Sequence, residues 1–81
     1  MFINKTEHGL NNVCGINISR FRKELEISQR ELADRLQLSG LDVDKNAVQR
    51  IESGQRFVTD IELVHLSQVL KVTLNHLLQA D

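Results

Sequence analysis

Apolar side chains recur three and four residues apart in five short blocks, each ending within about a dozen residues at a polar or glycine-containing break. That spacing lines one stripe of an α-helix, whereas a half-buried strand needs an alternation that is sustained nowhere in this chain. Ile18, Phe21 and Leu25 make the stripe of a first helix over residues 17–26, and Leu32, Ala33 and Leu36 that of a second over 29–37. Ala47, Val48 and Ile51 mark a third over 45–53, where Gly54 stands ready to take the left-handed residue that closes a helix. Leu63, Leu66 and Leu70, with Ile61 and Val69 beside them, mark a fourth, and Leu74, Leu77 and Leu78 a short fifth. Helices this short cannot build a long parallel bundle, so the expected fold is all-α: a compact cluster of five helices.

Helix starts are written independently of the stripes. Ser28-Gln29-Arg30-Glu31 and Thr59-Asp60-Ile61-Glu62 both read as capping boxes, each preceded by an apolar residue placed to staple onto one five positions later, Ile27 with Leu32 and Val58 with Leu63. Asp44 is the expected cap of the third helix and Thr73 of the fifth. Residues 1–14 show no period and are expected to form a flexible N-terminal arm, with a single domain over 15–81.

Composition narrows the function classes. The 81 residues hold 10 basic and 11 acidic side chains, a formal net charge of −1, so no global basic signature points to nucleic acid and any such surface must be arranged locally. One cysteine, Cys14, excludes a disulfide framework within the chain and a multi-thiolate zinc site, and a reducing cytoplasm is the expected setting. No apolar run approaches the roughly 20 residues of a membrane span. His8, His65 and His76 share no ligand spacing, Cys14 has no base or cation beside it, and Asp42 and Asp44 fit a helix cap better than a metal site. Phe21 and Phe57 are read as packing residues. With no phosphate loop, nucleophile motif or catalytic carboxylate pair, neither an enzyme nor a cofactor, metal or small-molecule site is expected.

The third helix is the informative one. At 100° per residue, Lys45, Asn46, Gln49, Arg50 and Ser53 fall on one arc of about 140°, opposite Ala47, Val48 and Ile51. The arc holds no acid, and its side chains suit groove contacts: Arg and Lys to guanine, Asn and Gln to adenine. Such an arc is also compatible with a plain solvated face. What weighs against that is the order of elements: a helix, a connection and then this helix is the order of a helix-turn-helix, with Ala33 small where the two cross.

Ile18-x-x-Phe21-Arg22, Ile27-Ser28-Gln29-x-Glu31-Leu32-Ala33, Val48-x-x-Ile51-Glu52-x-Gly54 and Leu63-x-x-Leu66-x-x-x-Leu70-x-Val72 follow one another in the order of a known framework. Over residues 18–78 the chain resembles the phage-repressor/Cro (XRE) family of helix-turn-helix transcriptional regulators. One departure is plain: Gln37 stands where the family has a turn glycine, and Leu38-Ser39-Gly40-Leu41-Asp42 reads as an insertion before the third helix.

The resemblance implies five helices, the third of them (about residues 44–53) reading bases in the major groove of double-stranded DNA. Lys45, Asn46 and Arg50 match base-reading positions, with Gln49 a fourth; Gln29 and Ser53 match phosphate-contacting ones, and Arg56 in the following loop is expected to meet the DNA backbone. Arg22 and Glu52 match an ion pair between the first and third helices. The function expected is that of a sequence-specific regulator, a repressor or autoregulator; the alternative is a protein-interaction or antitoxin-type helix-turn-helix acting through a partner. A single module covers only about 600–1,000 Å² on DNA, so a homodimer on two half-sites is expected. Leu74, Leu77, Leu78 and the end of the fourth helix are candidates for its interface.

Overall fold

The structure is a computed structural model that describes residues 4–79. Five helices follow one another: α1 (Gly15–Glu24), α2 (Gln29–Leu38), α3 (Lys45–Glu52), α4 (Asp60–Leu70) and α5 (Leu74–Leu78), with no strand among the described residues. The expected stripes face inward for most of their length, but Leu25, Ile61, Leu74 and Leu78, placed in or beside them, stand exposed. Cys14, Ile18, Leu32, Leu36, Val48, Ile51, Leu66 and Leu77 are fully buried, and Ile27, Ala33, Val43 and Leu70 complete one core. α2 packs most extensively against α3, which also rests on α1, while α4 packs on α1 and α2, and α5 on α1 and α4.

Four helix starts carry their side-chain caps. Ser28, Asp44, Thr59 and Thr73 accept from Glu31, Ala47, Glu62 and His76 amides respectively. Only one of the two expected capping boxes is reciprocal. Glu62 reaches back to the Thr59 amide at 3.0 Å, but Glu31 turns to Arg35, one helical turn on, at 2.7 Å. Arg35 offers the carboxylate a charged donor in place of an amide, and the charged one wins.

α1 departs from the sequence expectation at both ends. It starts at Gly15 because the Asn12 side chain accepts from the Gly15 amide at 2.8 Å, and it stops before Glu26 because that residue turns left-handed, φ 60°. The inserted turn is ordered by its own contacts. Gly40, φ 106°, closes α2 with Leu41 N–H donating back to the Leu36 carbonyl, and Gln37 Nε2 donates to the Val43 carbonyl at 2.7 Å. Val43 is buried and Leu41 half-buried, whereas Leu38 stands 89% exposed. α3 therefore enters from an anchored segment.

The arm expected over residues 1–14 is attached to the domain where it is described at its inner end. Asn11 and Asn12 bond to the loop after α3, and Cys14 is buried. Residues 1–3 of the expected arm and 80–81 of the expected domain lie outside the described residues. No helix among the described residues is long and apolar enough to cross a membrane.

Candidate nucleic-acid interface

The surface is built on a buried polar joint. Arg22 of α1 grips Glu52 of α3 in a two-pronged pair, Nε to Oε2 at 2.6 Å and Nη2 to Oε1 at 3.0 Å, and its Nη1 donates to the Ile27 carbonyl at 2.9 Å. Both side chains are nearly buried, 12% and 7% exposed, and the hydrogen bonds to Glu52 hold the Arg22 proton more firmly than usual. Gln29, the first residue of α2, adds a bond from Nε2 to Glu52 Oε1 at 3.1 Å. One carboxylate thus ties three helices together at the back of α3. A planar guanidinium matches two carboxylate oxygens at fixed geometry, so this joint sets orientation as well as distance.

With its apolar face and Glu52 committed inward, α3 turns Lys45, Asn46, Gln49 and Arg50 to solvent, all exposed. Asn46, Gln49, Arg50, Ser53 and Gln55 line a shallow depression of about 210 Å³, with no acid among them. Lys45 stands outside that depression at the helix start. Gln55 was missed by helical geometry, because it lies one residue past Gly54. Its position follows from the turn: Gly54 at φ 80° lets Gln55 N–H fold back onto the Arg50 carbonyl at 2.9 Å. Gly54 as a helix-closing residue is the signal that places Gln55 back beside the third helix.

The expected phosphate contacts divide. Ser53 is exposed at the end of α3, its hydroxyl donating to the Arg50 carbonyl at 3.1 Å. Gln29 is half-buried and held by Glu52. Arg56 Nη1 lies 2.9 Å from Glu62 Oε2 without the alignment of a hydrogen bond, a charge contact to the start of α4. These two side chains therefore have part of their donor capacity taken up by acidic partners within the fold.

Several polar residues outside the arc also have fixed roles. Asn17, buried, donates through Nδ2 to the Leu77 and Gln79 carbonyls at 2.9 and 2.8 Å and so fastens α5 to α1. Burial pushes the Cys14 thiol up to about 11, with Glu62 adding to the shift, so the thiol is a packing group. Leu77 is fully buried, which removes it from the expected dimer surface; Leu74 and Leu78 are each 43% exposed. Phe57, expected to pack, is 53% exposed. Among the described residues no three His, Cys, Asp or Glu side chains cluster as metal ligands.

Comparison with curated proteins by sequence gives no match. Among solved structures, the restriction-modification controller protein C.AhdI from Aeromonas hydrophila is similar, at 25% identity and TM-score 0.69 over 79% of this chain and 86% of that one. The P22 c2 repressor, in a crystal structure with synthetic operator 9T, superposes with TM-score 0.72 at 26% identity, over 86% of this chain and 98% of its own. A hypothetical transcription factor, NHTF from Neisseria, shares the fold at 22% identity and TM-score 0.75, over 96% and 90% of the two chains. The profile of the HTH_3 family, described as Helix-turn-helix, matches residues 18–77, and the chain belongs to this helix-turn-helix family of phage-repressor type.

Proposed function

We propose that this protein is a transcriptional regulator that reads a specific duplex site with α3, acting in the cytoplasm as a homodimer. The observation that carries the reading is the acid-free exposed face of α3, held from behind by the Arg22–Glu52 joint. Membership of the helix-turn-helix family supports DNA as the partner, as does likeness to a repressor crystallised with a synthetic operator. Lys45, Asn46, Gln49 and Arg50 read base edges, while Ser53 and the partly engaged Gln29 and Arg56 meet phosphates. The molecule measures 34 × 26 × 18 Å, so one copy serves one half-site, and two copies meet half-sites about 34–36 Å apart.

The test is selection of duplexes from a random pool, followed by footprinting and titration. A recovered site with two related halves is expected; a chain that retains no duplex above a scrambled control would overturn the reading. Arg50→Ala should relax preference at one base pair by about 1–3 kcal/mol. Arg56→Ala should weaken all duplexes alike and flatten the salt dependence by about one charge. Identical behaviour of the two variants would refute these roles.

A further inference from the structure

Four backbone carbonyls leave the end of α3 within six residues, those of Ile51, Gly54, Gln55 and Arg56, and all four are taken by two neighbouring asparagines. Asn12 Nδ2 donates to Ile51 at 3.1 Å and to Arg56 at 2.8 Å, while its Oδ1 accepts from the Gly15 amide. Asn11 donates its backbone N–H to Gly54 and its Nδ2 to Gln55, each at 2.8 Å. The fit is tight on both sides. A Cβ at Gly15 would lie 2.1 Å from the Ile51 carbonyl oxygen, and one at Gly54 would lie 2.9 Å from the Leu10 side chain.

We infer that Asn11 and Asn12 are positioning residues for the DNA-reading surface, forming a clasp that fixes the exit of α3. Gln55 shows how. Its N–H is held by Arg50 and its carbonyl by Asn11, so its backbone is pinned at both polar groups while the side chain remains exposed beside Asn46, Gln49, Arg50 and Ser53. A contact group on a backbone already immobilised loses less freedom on binding, and a displaced one loses its geometry with the base pair or phosphate it meets. The clasp acts on the end of α3 opposite its Asp44 cap, so that both ends of the reading helix are held from outside it.

This inference rests on the reading of α3 as the DNA surface, and the experiment separates the two. Asn11→Ala is the clean substitution, because it removes the one side-chain hydrogen bond of Asn11, to the Gln55 carbonyl, and keeps its backbone bond to Gly54. Asn17→Ser is the control: it loosens α5 instead of α3. Hydrogen exchange on the full chain, without DNA, should show faster exchange at Gly54, Gln55 and Arg56 amides in Asn11→Ala, and no such change there in Asn17→Ser. Unchanged exchange in Asn11→Ala would overturn the clasp whatever DNA does. With the duplex selected by the unmodified chain and a scrambled duplex of equal length, the affinity ratio should fall about tenfold in Asn11→Ala and stay within twofold in Asn17→Ser. Both are measured well below each variant's melting temperature. Equal ratios in both variants would make the asparagines merely structural. An unmodified chain that does not distinguish the duplexes, with exchange responding as stated, would refute the DNA reading and leave the clasp as a fastening of α3 alone.

Discussion

Single side chains in this fold divide into those that fix α3 and those that α3 displays, and the two kinds answer differently to substitution. Glu52 accepts from both Arg22 and Gln29 in a nearly dry site. Glu52→Gln keeps the shape but leaves the Arg22 charge uncompensated, and removing one partner of a buried pair costs about 3–5 kcal/mol. Urea unfolding should show that loss, with DNA binding falling because less protein is folded; an unchanged midpoint would mean that solvent substitutes for the pair. Cys14 gives a pH signature. Its thiol is pushed from an ordinary 9.0 to about 11, so the folded state keeps the proton longer than the unfolded chain does. Below pH 9 neither state ionises and the thiol is neutral to folding; between 9 and 11 the unfolded chain releases the proton first, and stability falls as pH rises. The stability advantage of the unmodified chain over Cys14→Ala should therefore shrink across that window, read by denaturant titrations at pH 8, 9, 10 and 11. A constant difference would show that the thiol is hydrated.

At the scale of the element, two helices end on residues poorly suited to their backbone. Glu26 after α1 and Lys71 after α4 sit at φ 60° and 59°, where a Cβ crowds the carbonyl and glycine does not. Glu26→Gly and Lys71→Gly should each raise stability by about 0.5–1 kcal/mol in thermal unfolding, provided the freer unfolded chain does not cancel the gain. A lowered melting temperature in either would point to contacts made by the removed side chain. The same ends show what a linear reading of the chain can reach. Caps Ser28, Asp44, Thr59 and Thr73 act within three residues of themselves, so four helix starts were legible along with the inward stripes. So was the displayed face of α3, because helical rotation alone sorts Lys45, Asn46, Gln49 and Arg50 from Ala47, Val48 and Ile51. The start of α1 was not legible, since Asn12 sets it together with bonds to residues 39 and 44 positions away. Nor were the partners of Gln29 and Arg56. Local order says that a side chain is polar and where it begins, whereas the carboxylate it finds depends on which helices cross.

Over the whole molecule, apolar surface is unevenly closed. Leu77 and Leu78 are adjacent in α5, yet one is fully buried and the other 43% exposed, with Ile16 of α1 72% exposed and Ile61 of α4 66%. Leu77→Ala should cost about 2–5 kcal/mol of folding stability. On the proposed homodimer, Leu78→Glu should leave the melting temperature of the monomer nearly unchanged while lowering the dimer fraction seen by light scattering, with and without selected DNA; an unmodified chain that is monomeric in both conditions would overturn the dimer. A dimer unaffected by Leu78→Glu would place the interface elsewhere. Asn17, finally, has a consequence in time. Its carbonyl partners lie 60 and 62 residues further along the chain. At about 5–20 residues per second, a ribosome adds those partners on the order of 3–12 s after Asn17 itself. Throughout that interval α1 lacks its packing against α5, and the Asn17 amide is satisfied by water. Synthesis halted before residue 77 should yield a nascent chain open along α1, sensitive to protease and dependent on chaperone cover, instead of a smaller domain able to hold DNA.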